Sequence, residues 1–443
     1  MILKRKKRKW KKRTQTTDFR TIMAGIKFIH TADLHLDTPF KGLSHWNTEL
    51  ASFLKNAVFD AFHNIIDRCL SEDVDFLLIS GDIFDSDSGS LAAQLKFTSE
   101  LKRLSEKNIP VYFICGNHDP LNAWLPSIQL PGNTYRFGAH EVQQILHEKE
   151  GKPVVSLHGI SYPDKVVTEN LTSQYILSGP MAPLSIALLH GTLGNPGPHE
   201  QYAPFKIEEI TSKGFDYWAL GHIHQNNVIR EEDPAIVYPG NPQGRDFGET
   251  GVKGCYLVEL QENNRPNISF IPTQLVRFEE LSIDLSGEVA VDRLYDKIME
   301  AVQSVGGHDD NMSYFLRITF TGRTALHQQL RVQGETEQLI KLFNEGQLGR
   351  KAFTWIDKII VHTRPDTDFE KLARGNEFIA DLRDSFVNLD QQTHVLEEKI
   401  QSLGEQFSSQ AARKELPELS LQDYQEILQK AEGMLLDQLS GDE

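Results

Sequence analysis

The stretch Ile26-Lys27-Phe28-Ile29-His30-Thr31-Ala32-Asp33-Leu34-His35 decides the reading of the first half of the chain. Its opening residues form a short apolar run, of the kind found in strands buried on both faces. Asp33 and His35 follow where such a strand would end. The same arrangement returns four times. Gly81-Asp82-Ile83-Phe84-Asp85 follows Phe76–Ser80, and Gly116-Asn117-His118-Asp119 follows Val111–Cys115. His190-Gly191 follows Ile186–Leu189, and Gly221-His222-Ile223-His224 follows Tyr217–Leu220. Singly, each motif is weak. Asp-x-His also serves as a helix start with Asp as cap, and Gly-Asp or Gly-Asn-His-Asp as a turn. A lone His-Gly is more often structural than a ligand. Together they are specific, because ligand-type groups at five strand ends converge on one edge of a sheet, where α/β folds place their sites.

The residue types point to phosphoester hydrolysis. That reaction needs a nucleophile, charge neutralisation and help for the leaving group. Two divalent ions about 3.5–4 Å apart supply the first two by acidifying a shared water and holding phosphate oxygens. Carboxylates mixed with imidazoles suit Mn²⁺, with Fe and Zn²⁺ compatible, and no cysteine stands in these motifs to favour a thiolate site. One carboxylate bridging the ions would offset their repulsion.

Around these motifs, residues 23–273 alternate short apolar runs with amphipathic helices. Further strands are expected at Val154–Leu157, Ala235–Tyr238, Cys255–Leu260 and Ile268–Ile271. Helical stripes run from Leu50 to Ile66 and through Leu91, Leu95, Leu101 and Leu104, the second ending before Asn108-Ile109-Pro110. The later part lacks long helices, so part of the sheet is expected to be antiparallel. A smaller α/β unit is expected at residues 274–365, with strands at Leu281–Leu285, Tyr314–Thr321 and Phe353–His362 and helices at Val291–Val305 and Glu335–Asn344. Residues 366–443 read as a helical tail. Its stripes, Phe378 to Phe407 and Leu421 to Leu439, fit either a helix pair packed on its own domain or a docking surface for a partner.

The ordered set Asp-x-His, Gly-Asp-x-x-Asp, Gly-Asn-His-Asp, His-Gly, Gly-His-x-His resembles the calcineurin-like metallophosphoesterase superfamily over residues 26–273. The resemblance implies an α/β fold, a four-layer α/β/β/α sandwich, here with a small α/β cap and a helical region after it. It implies one ion at Asp33, His35, Asp82 and His224, and another at Asp82, Asn117, His190 and His222, with Asp82 bridging. His118 would be no ligand but would assist the leaving oxygen. Asp85 and Asp119 would be structural or orienting. His158-Gly159 is a second His-Gly after a strand. The superfamily's ligand histidine lies in the last strand-loop unit before Gly-His-x-His, which favours His190 and leaves His158 as a substrate-side candidate.

Protein phosphatases of this superfamily carry Arg-Gly after the second motif, whereas this chain has Ser86-Asp87-Ser88-Gly89. His30 to Asp37 and Gly81 to Asp85 instead resemble the DNA-repair exonuclease branch, which includes the SbcD-like nucleases. Asp37-Thr38-Pro39-Phe40 and Tyr238-Pro239-Gly240-Asn241-Pro242-Gln243-Gly244-Arg245 resemble the YhaO-like exonucleases of Firmicutes. Membership of that branch implies DNA as substrate, an SMC-like ATPase as partner and homodimerisation through helices of the catalytic domain, although no apolar stripe is assignable to that last role. Arg245 and Lys253 are candidate phosphate contacts, with a solvated surface role as the alternative for each. Hydrolysis of a nucleotide or other small phosphoester, and a non-catalytic scaffold built on the tail, are the competing functions.

Charge bears on that choice. The 443-residue chain carries a net charge of −16, yet residues 1–22 hold ten basic residues against one acid. The remainder has 36 basic and 61 acidic residues, about −25, unlike a protein that grips nucleic acid alone. On the nuclease reading much of the DNA grip belongs to the partner. The basic leader is either a solvated arm or an artefact of start-codon choice, since Met23 stands just before the first core strand. It lacks the apolar core of a secretion signal. Cys69, Cys115 and Cys255 are too few and scattered for a disulfide framework. With no apolar run long enough to span a membrane, a cytoplasmic setting is expected.

Overall fold

The computed structural model describes residues 25–391 except 39–47, 86–89, 125–127, 179–181, 195–201, 263–264, 307–311 and 367–373, together with residues 431, 434 and 435. The basic leader, Ser86 to Gly89, the first tail stripe beyond Gln391 and all of the second except Ala431 and Leu435 lie outside the described residues. The chain divides between Arg277 and Phe278 into two compact units.

The first unit begins β1 (Gly25–Thr31), α1 (Thr48–Ser71), β2 (Phe76–Ser80), α2 (Leu91–Glu106), β3 (Val111–Ile114) and β4 (Thr134–Arg136). It continues β5 (Gln143–Lys149), β6 (Lys152–Gly159), β7 (Leu184–His190), α3 (Ile207–Thr211) and β8 (Tyr217–Gly221). Four strands complete it: β9 (Asn227–Arg230), β10 (Ala235–Tyr238), β11 (Gly254–Gln261) and β12 (Asn267–Pro272). Two six-stranded sheets result, ordered β12-β11-β1-β2-β3-β4 and β5-β6-β7-β8-β10-β9. Strands β1 to β4 run parallel, as do β6, β7, β8 and β10. The expected antiparallel pairing occurs at β1–β11, β11–β12, β5–β6 and β9–β10.

Strand parity explains the layers. Successive side chains alternate faces, so Phe76 and Leu78 of β2 enter the core between the sheets, with Phe28, Leu157, Ile186 and Ala219. Leu77 and Ile79 point the other way, into a core completed by Phe62 and Ile66 of α1 and by Phe97, Leu101 and Leu104 of α2. Among the described residues the outer face of the second sheet is covered more thinly, by the short helix α3 and by residues such as Tyr162, Leu171, Tyr175 and Phe215. The fold is thus the expected sandwich, with one helical layer reduced. Ser90 caps α2 by accepting a hydrogen bond from Ala93 N at 3.2 Å. The expected stripe of α2 shifts, however. Ala93, Phe97, Leu101 and Leu104 face the core, while Leu91 and Leu95 are exposed, because the interior contact follows the aromatic Phe97 rather than the two leucines on its flank.

Polar contacts cross the inter-sheet core, Tyr112 Oη to His147 Nδ1 at 3.1 Å among them, and the chain through His30 lies nearest the motifs. His30 lies 3.0 Å from Tyr217 Oη and 3.1 Å from Ser80 Oγ, and Ser80 Oγ donates to Ala219 O at 3.0 Å. Burial pushes the His30 imidazole down to about 3, so it is neutral. A buried polar chain with every member bonded stitches the sheets at one level, close to the strand ends that carry the motifs.

The second unit takes up the end of β13 (Val276–Asp284) and continues with α4 (Asp292–Gly306), β14 (Ser313–Thr321) and β15 (Arg323–Thr324). Then come α5 (His327–Leu330), α6 (Glu335–Asn344), β16 (Thr354–Val361), β17 (Arg364–Pro365) and α7 (Glu377–Gln391). A three-stranded sheet, β13-β14-β16, has β14 and β16 parallel, and their crossover contains α5 and α6. Leu294, Ile298, Phe320, Phe343 and Ile356 form its core. Among the described residues no helix is long and apolar enough to cross a membrane.

Phe97 is fully buried with its ring 5.4 Å from that of Phe62 and 5.8 Å from that of Phe84. Phe97→Ala is expected to cost about 3–5 kcal/mol in the urea unfolding of the first unit, and Leu95→Ala no more than about 0.5 kcal/mol. Equal losses would contradict this orientation of α2.

Candidate metal centre

Parallel strands bring the ends of β1, β2 and β3 side by side, and those of β7 and β8 likewise. The loops leaving them interlock through the backbone. Asp33, His35 and Leu36 donate their N–H groups to the carbonyls of Gly81, Asp82 and Ile83 at 3.0, 3.1 and 2.9 Å. Asp119 accepts from the N–H of Gly116 (2.9 Å), Asp82 and Ile83 (both 3.1 Å), which pins the second and third motifs together. Asp33, His35, Asp82 and His222 adopt left-handed φ of 53°, 46°, 52° and 96°. Such conformations are uncommon for non-glycine residues and cost on the order of 1–3 kcal/mol each when strained, so they persist where the surroundings enforce them. Gly116 is required by close approach, since a Cβ there would overlap Asp82 Oδ1 and lie 2.7 Å from His190 Nε2.

Three groups of donor atoms form among the described residues, one of them His35, Asp85 and His118, and the other two gather the expected ligands. Asp33, His35 and His224 offer atoms within 4.8 Å of one another, and so do Asp82, His190 and His222. Asn117 joins the second group, its Oδ1 being 3.0 Å from His190 Nε2 and 3.1 Å from His222 Nδ1. Asp82 Oδ2 stands between the groups, 3.4 Å from His190 Nε2 and 3.9 Å from His35 Nε2. Asp33, His35, Asp82 and His190 are buried, while the side chains of His224 and His118 are 27% and 42% exposed and mark the open side.

The outer nitrogens of the imidazoles fix what the inner ones present. His190 Nδ1 lies 2.9 Å from the Ser80 carbonyl, His224 Nδ1 2.7 Å from Glu249 Oε1, and His35 Nδ1 3.0 Å from Asp85 Oδ1. The Ser80 carbonyl and the two carboxylates are acceptors, which favours a proton on each Nδ1 and turns each Nε2 inward, while at His224 the Arg245 Nη2 donor also lies 3.1 Å from Nδ1. His35 Nε2 and His224 Nε2 then face each other at 3.1 Å, and His190 Nε2 faces the Asn117 amide oxygen. Ring nitrogens this close to another nitrogen or to an oxygen need a proton or a metal ion between them. These donors therefore fit divalent cations.

The ionisation of the side chains follows the same demand. Burial works to raise the Asp82 carboxyl, but the charge and hydrogen bond of His190, aided by His35 and His118, hold it below the ordinary carboxylate range. Burial works to lower His190, but Asp82 raises it to about 9. Burial pushes His35 down to about 4 and His222 to about 3, leaving neutral imidazoles of the form that binds metal. Asp33 is raised by burial.

Beside the two groups, His118 donates its backbone N–H to Asp82 Oδ1 at 2.9 Å, and its Nδ1 lies 3.1 Å from Asp85 Oδ1. That bond to Asp85 raises the His118 imidazole. Burial acts to raise Asp85, yet its bonds to His118 and His35 hold it below the ordinary range.

His158 requires a correction. It sits beside Ala187 in the β6–β7 register, on the face opposite Leu188 and His190. Its buried ring packs 5.0 Å from that of Phe215 in the outer core, so strand parity turns it away from the site. Nor is Arg245 a solvated surface residue. Its side chain is 16% exposed and is bonded to Glu249. Lys253 is buried and donates to the His224 carbonyl at 2.8 Å. Glu249 escaped sequence reasoning. The only available signal was its position four residues after Arg245 in a Gly-rich loop. Tyr202, whose ring lies 5.1 Å from that of His222, had none.

The sequence profile of the calcineurin-like phosphoesterases matches residues 26–226, and that of the middle domain of the metallophosphoesterase YhaO matches residues 278–364. The chain belongs to the calcineurin-like metallophosphoesterases and carries a YhaO-like middle domain. It is 34% identical to the metallophosphoesterase YhaO of Bacillus subtilis over 335 residues, covering 75% of this chain and 81% of that one. It is 30% identical to the DNA double-strand break repair protein Mre11 of Sulfurisphaera tokodaii, over 64% of this chain and 69% of the relative. The protein of the same name from Sulfolobus acidocaldarius is 25% identical over 63% and 69%. Family and site together make the chain a metal-dependent phosphoester hydrolase with a divalent metal centre.

The Asp85–His118 pair sets a pH dependence in metal-free protein. A lowered carboxylate contributes stability above its unfolded pKa of about 4, lost as pH falls. A raised histidine contributes below about 6.5, lost as pH rises through its folded value. With chelator present, the melting-temperature deficit of Asp85→Asn against the unmodified chain is expected to be largest near pH 5–6 and to shrink toward pH 9. Parallel profiles would contradict the pairing.

Proposed function

We propose that the chain is a two-metal phosphodiesterase acting on DNA, an exo- or endonuclease of DNA repair that works with an SMC-like ATPase. The observation that carries the hydrolytic part is Asp82 Oδ2 within reach of both donor groups. One ion would be held by Asp33, His35, Asp82 and His224 and the other by Asp82, Asn117, His190 and His222, Mn²⁺ suiting this oxygen and imidazole set. When bound, the pair supplies an acidified water and neutralises phosphate oxygens. The protein's own groups do the rest. Asp33 accepts the His222 N–H on both carboxylate oxygens, at 3.0 and 3.1 Å, which fixes the fifth motif against the first. Asp85 holds His118 protonated at Nδ1, so Nε2 is the atom that carries a proton to the leaving oxygen. The half-exposed His118 stands on the side from which a bulky substrate arrives.

DNA is favoured as substrate by the similarity to proteins named for double-strand break repair. The charge of about −25 on residues 23–443 favours the competing reading, a nucleotide or other small phosphoester, unless a partner supplies the cationic grip.

Digestion of end-labelled duplex DNA and of bis-p-nitrophenyl phosphate with Mn²⁺ separates the readings. Both substrates should be cleaved, and Asn117→Ala should abolish both activities. His118→Ala should slow DNA cleavage about 10²–10⁴-fold but the aryl ester much less, because p-nitrophenolate leaves with little proton assistance. Cleavage of the small ester alone would favour the second reading, and cleavage of neither would contradict both.

A further inference from the structure

We propose that Glu249, Arg245 and Asp85 form one largely enclosed ionic brace that positions the imidazoles of His224, His35 and His118, and that Arg245 is its keystone, not a contact for substrate phosphate. Glu249 Oε1 lies 2.7 Å from His224 Nδ1 and accepts from Arg245 Nη2 at 2.6 Å and Nε at 3.1 Å. Glu249 Oε2 accepts from the Arg245 backbone N–H at 2.9 Å and from Asn241 Nδ2 at 2.7 Å. From the other side of the guanidinium, Nη1 lies 3.5 Å from Asp85 Oδ1, the oxygen that reaches His35 Nδ1 at 3.0 Å and His118 Nδ1 at 3.1 Å. The side chains of Glu249, Arg245 and Asp85 are only 11%, 16% and 16% exposed.

Charges so enclosed are costly unless each is paired and hydrogen-bonded, and here every carboxylate oxygen named has a donor. Arg245 serves two carboxylates at once through its planar fork, a geometry that the point charge of lysine does not reproduce. The brace acts on one metal position in particular. His35 and His224 both belong to the group with Asp33, and both have a carboxylate at Nδ1, with their Nε2 atoms 3.1 Å apart. His190, of the other group, is held instead by the Ser80 carbonyl, outside the brace. Loss of Glu249 therefore frees the ring of His224 to rotate or change tautomer while the Asp82, His190 and His222 position stays intact. Glu249 and Arg245 are positioning residues. This inference rests on the reading of the donor groups as a dinuclear metal centre.

The test is calorimetric titration of the full chain with Mn²⁺ alone, paired with electron paramagnetic resonance of the bound Mn²⁺ and with melting of the metal-free protein. The unmodified chain should bind two ions and show a spin-coupled pair. Glu249→Ala should bind one ion as before and the other about 10- to 100-fold more weakly, with a mononuclear spectrum at one equivalent. Glu249→Gln keeps an oxygen that accepts the His224 Nδ1 proton, so it should fall between the two. If Glu249→Ala does not fold, the same selective weakening in Glu249→Gln carries the test. Two unchanged affinities in the variants, or equal weakening of both sites with a lowered metal-free melting temperature, would overturn the brace as a positioning device. Failure of the unmodified chain to bind two ions would instead overturn the metal-centre reading.

Discussion

Asp82 Oδ2 is the atom on which the rest of the site depends. It lies within 4 Å of an inward-facing imidazole nitrogen of each donor group, and it does so buried, from a residue in a left-handed backbone conformation. A carboxylate in that place is costly on its own account and is stable only when positive charge lies on both sides. Protein groups answer part of the demand, since His190 is raised to about 9 against its own burial. A divalent metal centre, which the family and the donor groups imply, answers the rest. The strained backbone at Asp33, His35 and His222 belongs to the same constraint, because each residue turns sharply off a strand end to present a donor.

The sandwich is what makes the strain tolerable. Two parallel sets of strands, each buried on both faces, form rigid combs whose teeth end at the same level, and the His30–Ser80–Tyr217 chain ties the combs together just behind the site. Ser80 serves both functions, with its hydroxyl in the inter-sheet chain and its carbonyl holding His190. Core packing and ligand orientation are thus coupled through one residue. Damage to the inter-sheet layer should be felt at His190 before it is felt at the loops.

Much of this was legible in the sequence, and the reasons are particular. Strands such as Phe76–Ser80 and Ala235–Tyr238 were read to the residue, because burial on both faces leaves an apolar run with polar residues at its end. The strands Thr134–Arg136, Gln143–Lys149 and Asn227–Arg230 were not read. All three are sheet edges, where pairing with a neighbour, not an apolar pattern, makes the strand. His158 misled for a related reason. A His-Gly pair after a strand gives no indication of which face the histidine occupies, and only the register with Ala187 assigns it to the outer core. Glu249 was invisible because His224, whose ring it holds, is remote in sequence, on the far side of two intervening strands. Arg245 was noticed for its charge and misjudged for its surroundings, since a charge in a sequence carries no record of its burial.

The most direct test of the central claim is anomalous diffraction from crystals of the chain grown with Mn²⁺. Two peaks should appear, one among Asp33, His35 and His224 and one among Asn117, His190 and His222, with the Asp82 carboxylate touching both. A single peak, or two peaks of which one lies away from Asp82, would contradict the bridged centre and with it the mechanism built upon it.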